Sequence, residues 1–186
     1  TTILMTLGLT IGIVGIAFAQ DSKKVPQTKI ITTIKAPVEV AFNYIVPVDL
    51  PHIFKGYKSI AGITNTSIKE GWTKPGLVRM VYFEDGSTSK ESLLSVVPYS
   101  SFSYKNEDFT SKLRFFAKRI EGDWIFTDLG DGQTKIEWTY KVVPKNLIAK
   151  LLVNAFLMKD IKGLLNNAMI ILKDDLESGN YKIVFS

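Results

Sequence analysis

The feature that most constrains this chain is a run of β-like segments closed by tight turns and followed by one long apolar helical stretch. Residues Gly76 to Glu84 carry Leu77, Val78, Met80, Val81, Tyr82 and Phe83, and Asp85-Gly86 after them is a strong hairpin turn. Ser87 to Val97 pairs back, and after Pro98 and Ser100-Ser101 a strand resumes over Phe102 to Asp108. Lys112 to Arg119 and Asp123 to Leu129 read as strands on either side of Glu121-Gly122, Gly130-Asp131-Gly132 as a further turn, and Thr134 to Val143 as the last strand. Pro144 then opens a helical stretch over Lys145 to Leu176, with Leu147, Leu151, Ala155, Met158, Leu165, Met169 and Leu172 at mostly three- or four-residue steps. Gly163 inside it marks a bend or a close approach, and Gly179-Asn180 its stop. A sheet with one apolar face must be covered. A single helix cannot fill a strongly curved sheet of this size, so the pattern predicts an internal apolar cavity.

Upstream, Asp21 to Gln27 is a polar linker and Lys29 to Ile34 a β-rich strand. Pro37 suits the first turn of a helix through Val40, Ala41, Phe42, Tyr44 and Ile45, which Pro47 stops. Asp49 caps a second short helix over Leu50 to Phe54, and a strand is expected over Tyr57 to Ser67. The predicted class is α+β: an antiparallel sheet of about seven strands around a long C-terminal helix. The stretch from 180 to 186 is a short tail with no assigned role.

At 186 residues the length fits one domain, and 46% hydrophobic against 22% charged residues fits a packed globule rather than a disordered chain. With no Cys, disulfides, thiolate metal sites, iron–sulfur clusters and thiol nucleophiles are excluded. The one histidine, His52, offers a transition metal few ligands, and acid–base chemistry there lacks a partnering nucleophile motif. Asp128 and Asp131 fit turn chemistry better than calcium, and Gly130-x-Gly132 lacks the context of a phosphate loop. No metal, cofactor or catalytic residue is therefore assigned. The net charge is +5, but the lysines are scattered and only Arg79, Arg114 and Arg119 are arginines, which argues against a nucleic-acid partner.

Thr1 to Gln20 carries no charge, and as a helix it would be about 30 Å long, enough for a bilayer core. Two readings stand: a transmembrane anchor through residues 3–19, or a signal peptide ending at Ala17-Phe18-Ala19. The Ala-x-Ala motif points to an extracytoplasmic domain, whereas Lys23, Lys24 and Lys29 taken alone point to a cytoplasmic one. An extracytoplasmic, membrane-anchored domain is the expectation.

From Ala36-Pro37-Val38-Glu39-Val40-Ala41-Phe42, Gly76-Leu77-Val78-Arg79, Phe83-Glu84-Asp85-Gly86, Glu91-Ser92-Leu93 and Gly132-Gln133-Thr134-Lys135-Ile136-Glu137-Trp138, in this order and spacing, the stretch from 28 to 179 resembles the SRPBCC superfamily (START-like, Bet v 1-like), and within it the polyketide cyclase/dehydrase branch. The resemblance implies a helix-grip fold around a cavity, without fixing one activity. It also implies that Arg79 and Glu91 point into that cavity and hold a ligand's polar end; a structural ion pair is the alternative. By alternation Arg79 shares a face with Val81 and Phe83. Trp72, Tyr82, Phe83, Tyr104, Phe115, Phe126, Trp138 and Phe156 are further candidate lining residues, with Met158 and Met169 as an adaptable wall on the helix. The expected function is non-catalytic binding or carrying of a hydrophobic small molecule or lipid near a membrane. The rivals are an accessory subunit of a membrane protein complex and a cyclase- or dehydratase-like enzyme.

Overall fold

The computed structural model describes residues 24–179. Seven strands form one antiparallel sheet in the order β1-β7-β6-β5-β4-β3-β2. They are β1 (Gln27–Ile34), β2 (Ile63–Thr66), β3 (Val78–Phe83), β4 (Thr88–Val97), β5 (Ser101–Glu107), β6 (Ala117–Gly130) and β7 (Gln133–Pro144). Between β1 and β2 lie α1 (Val38–Ile45) and α2 (Leu50–Ile53); after β7 come α3 (Leu147–Leu152), a π-helical turn (Val153–Leu157) and α4 (Met158–Ser178). This is the helix-grip arrangement: a curved sheet grips α4, which packs over β1 with α1 and α2 at its side. Register shifts at Leu93/Ser95, Ala117/Arg119 and Asp128/Gly130 bend the strands, as bulges do.

Alternation explains which residues face the core. Along β7, Thr134, Ile136 and Trp138 are buried while their neighbours are not, and Ile30 and Ile34 do the same in β1. Gly179, at φ 81°, closes α4 in the left-handed conformation that glycine adopts without strain. His52 lies on α2, and its Nε2 sits 2.7 Å from Asp175 Oδ2, which also accepts from Tyr44 Oη at 2.6 Å. The lone histidine therefore ties α1, α2 and α4 together.

Four elements differ from the sequence expectation. Tyr57 to Ser67 is a strand only from Ile63; before it, Tyr57 and Ile60 close a tight turn with Lys58 at φ 49°. Lys112 to Arg119 is not one strand, because Ser111 Oγ accepts from the Leu113 N–H and caps a 3-10 turn over Lys112–Phe115. Glu121-Gly122 is no break, and β6 runs straight through it. Gly122 is there because a Cβ would lie 2.2 Å from Cζ of Tyr104, whose ring rests on the bare backbone. The long helix is interrupted by the π turn, which changes the phase of its apolar face. Ala149 and Val153 are buried, whereas Leu147 and Leu151, expected on the buried face, are 60% and 62% exposed. Gly163 is a close-approach glycine: a Cβ there would lie 2.3 Å from the Tyr57 ring.

No helix among the described residues is long and apolar enough to cross a membrane. The N-terminal apolar helix, its cleavage motif and the 180–186 tail lie outside the described residues.

Candidate functional site

Between the concave face of the sheet and the terminal helix lies a cavity of about 630 Å³. One wall is apolar and helical: Leu152, Val153, Phe156, Leu157, Ile161 and Leu164. Val81, Phe83, Ile120 and Ile63 add apolar surface from the sheet. Ser89, Glu91, Tyr104, Asn106 and Tyr140 give the sheet wall its polar atoms. The exposed lining residues Ser59, Asp85, Lys112, Leu152 and Phe156 mark where the cavity meets solvent.

The polar wall is a connected network. Arg79 Nε donates to Glu91 Oε2 at 2.5 Å, and both residues are only 4% exposed. Asn106 Nδ2 donates to Glu91 Oε1 at 3.3 Å, and Ser89 Oγ donates to Asn106 Oδ1 at 3.0 Å. The pairing follows from register, since Arg79 stands opposite Glu91 across β3 and β4, and Glu91 opposite Asn106 across β4 and β5. The Arg79 guanidinium lies over the Trp72 ring, 4.2 Å from its centroid. Burying either charge alone would be costly, and this cage of opposite charge, amide and aromatic face makes it tolerable.

The two cage charges are placed differently. Both border a recess of about 30 Å³, together with Trp72, Trp138 and Trp124, but only Glu91 also borders the large cavity. A guest would therefore meet Glu91, Asn106 and the two tyrosines, with Arg79 acting through Glu91. Burial pushes the Tyr140 phenol up, helped by the Glu91 charge, and burial likewise holds Tyr104 well above its usual value. The indole N–H groups of Trp138 and Trp124 lie near enough to Tyr104 to favour its ionised form slightly, yet neither makes a hydrogen bond of proper geometry. Both phenols are neutral donors at neutral pH.

A family profile described as polyketide cyclase / dehydrase and lipid transport matches residues 26–177. The chain belongs to this family. It is thereby a member of the SRPBCC superfamily, and solved structures agree on the fold. The crystal structure of Ara h 8.0201 is similar over 83% of this chain and 99% of its own, with 18% identity and a TM-score of 0.63. Ginseng major latex-like protein 151 from Panax ginseng is similar over 82% and 97%, with 17% identity and a TM-score of 0.61. The solution structure of the Aha1 dimer from Colwellia psychrerythraea is similar over 82% and 96%, with 14% identity and a TM-score of 0.56. No curated protein matches the chain.

In this member of the cyclase/dehydrase and lipid transport family, the residues picked from sequence fall into three groups. Val81, Phe83, Glu91 and Phe156 border the large cavity, as does Tyr104. Trp72, Arg79 and Trp138 surround the recess behind it. Phe126, Met158 and Met169 border neither: Phe126 packs edge-on against Phe42 at 5.2 Å and Met169 is core. Tyr82 and Phe115 are exposed, Tyr82 because it alternates with Val81. Asn106 and Tyr140 were not singled out from sequence. Period-two counting from Tyr104 and from Trp138 puts both on the concave face, which is the signal that would have found them.

The tyrosines give a pH prediction. The folded values of Tyr44, Tyr104 and Tyr140 are raised above 10.0 by burial first, with the Asp175 hydrogen bond adding to the rise at Tyr44. An acid with a raised folded value favours the native state below its unfolded value, and loses that contribution as pH rises above it. Stability should fall steeply above pH 10, with part of the tyrosinate absorbance appearing only as the fold is lost. Ionisation of Tyr44, Tyr104 and Tyr140 with midpoints near pH 10 in folded protein would contradict this.

Proposed function

We propose that the domain binds a hydrophobic small molecule or lipid without chemically changing it, holding the apolar body in the cavity and one polar group at the Glu91–Asn106–Tyr140 wall. The observation that carries this reading is the size and character of the hollow. At about 630 Å³ it lies within the common range for small-molecule sites, and its greasy helical wall faces a short polar strip. The Glu91 carboxylate already accepts from Arg79 and Asn106, so it suits fixed orientation of a guest better than proton transfer. The apolar stretch at 3–19 would keep such a carrier at a membrane, where guests of this kind partition.

The test is to fill the hollow. Val81 projects from β3 into it, so Val81→Trp should occupy guest volume while the void absorbs the added ring. The fluorescent apolar probe anilinonaphthalene sulfonate should bind the unmodified protein and bind the variant at least about tenfold more weakly, with similar melting behaviour. Mass spectrometry of an organic extract of the unmodified protein should also show a copurifying apolar molecule. Equal probe binding by both proteins, with nothing in the extract, would overturn the reading.

A further inference from the structure

The π turn leaves an apolar surface beside the cavity mouth that the fold does not cover. Ile148 is 71% exposed, Phe156 73%, and Leu147 and Leu151 about as much as Phe115 on the neighbouring 3-10 turn at 60%. These residues belong to two segments that meet: Lys145 N–H donates to Phe116 C=O at 2.9 Å, and Lys112 and Phe156 both line the cavity. Five large apolar side chains on one rim exceed what scattered surface residues need explaining.

The two segments that form this rim carry only positive charge. Residues 109–120 and 138–159 contain no Asp or Glu, yet they hold Lys112, Arg114, Lys118, Arg119, Lys141, Lys145, Lys150 and Lys159. Arg119 and Lys141 are paired with Glu121 and Asp123. Lys112, Arg114, Lys118 and Lys145 are exposed and make no ion pair among the described residues. The carboxylates on the other lip are engaged: Asp85 accepts from Ser87, and Asp160 from Ser59 with Lys58 3.6 Å away.

The chain's entry point lies at the same pole. Pro26 C=O accepts from Val142 N–H at 2.9 Å, two residues before the Pro144 that leads into α3. The first described residues therefore stand on the side of the domain where the apolar rim lies.

We infer that the α3–π rim, with Phe115, docks on an anionic lipid bilayer, the leucines, Ile148 and the two phenylalanines entering the headgroup layer while Lys112, Arg114, Lys118 and Lys145 meet lipid phosphates. Greasy tips inside a basic collar are the chemistry that binds such surfaces. This contact is separate from any anchoring by residues 3–19, and it faces the cavity mouth towards the membrane whatever the cavity holds.

The absence of cysteine makes a direct test possible on the full chain. Ile148→Cys is labelled with a nitrobenzoxadiazole dye, and Ile125→Cys, on the convex face of β6, serves as the control. With vesicles of phosphatidylcholine and phosphatidylserine, the label at 148 should brighten several-fold and shift to the blue, and the label at 125 should not. Lys118→Ala and Lys145→Ala should each weaken that response about fivefold. A silent label at 148 on vesicles that sediment the protein would overturn the proposal, since the N-terminal stretch alone would then hold it. So would an equal response to pure phosphatidylcholine, or brightening without lipid, whether it rises with protein concentration or disappears when residues 1–23 are removed.

Discussion

Replacing Arg79 by methionine is expected to destabilise the domain by about 3–5 kcal/mol. The guanidinium and the Glu91 carboxylate are each 4% exposed and joined at 2.5 Å, so neither is solvated by bulk water. Removing the cation leaves a buried carboxylate whose remaining protein donor is Asn106 at 3.3 Å, a long bond. Trp72 loses the cation on its face as well. Most of the loss is the penalty of an orphaned charge rather than the net worth of the pair, and a second variant separates the two. Arg79→Met combined with Glu91→Leu removes both charges and should recover most of the stability. Urea denaturation of the single and double variants reads the difference. A single variant within about 1 kcal/mol of the parent would show that water reaches the pair freely and that the cage is not dry.

The double variant also bears on function. It restores an apolar wall but deletes the polar strip at Glu91. A guest held chiefly by its apolar body would bind nearly as before, and a guest oriented by its polar end would bind worse. Glu91→Gln, which keeps an acceptor for Asn106, separates loss of charge from loss of hydrogen bonding.

Most of the sheet could be read from the chain because its signals are local. Asp85-Gly86 and Gly130-Asp131-Gly132 are turns whose residues carry their own backbone preferences, and both stand where they were expected. Alternation groups Arg79 with Val81 and Phe83 on one face, and Val81 and Phe83 border the large cavity. The misreadings are non-local. Gly122 resembles a turn residue until Tyr104, from the neighbouring strand, is seen resting on it. The π turn has no periodic mark of its own, so the run from Leu147 to Leu172 counted as one face although its first third points outward. That Arg79 stands opposite Glu91 is a matter of register across β3 and β4, but which of the two faces the guest depends on the depth of Trp72 behind them, and no spacing rule encodes depth.

Trp138→Ala is the second large effect, again about 3–5 kcal/mol. Trp138 is 1% exposed and stacked on Trp124, its cross-strand partner, with ring centroids 4.2 Å apart; Phe54 meets it edge-on at 6.0 Å. Truncation removes the stack and leaves a hole that the stiff neighbouring strands cannot close. The indole N–H has no hydrogen-bond partner among the described residues, so it contributes a desolvation penalty rather than a bond. Trp138→Phe should therefore lose much less than the alanine variant, because an aromatic ring remains and the unpartnered donor is gone. The hole made by alanine adjoins the recess of about 30 Å³ behind Glu91. Probe binding should thus survive or strengthen in Trp138→Ala although the fold is weakened, whereas in Val81→Trp binding should fail although the fold is sound. Denaturation and probe titration on the two variants would set stability and capacity moving in opposite directions. If binding instead simply followed stability in both, the hollow would not be the binding site.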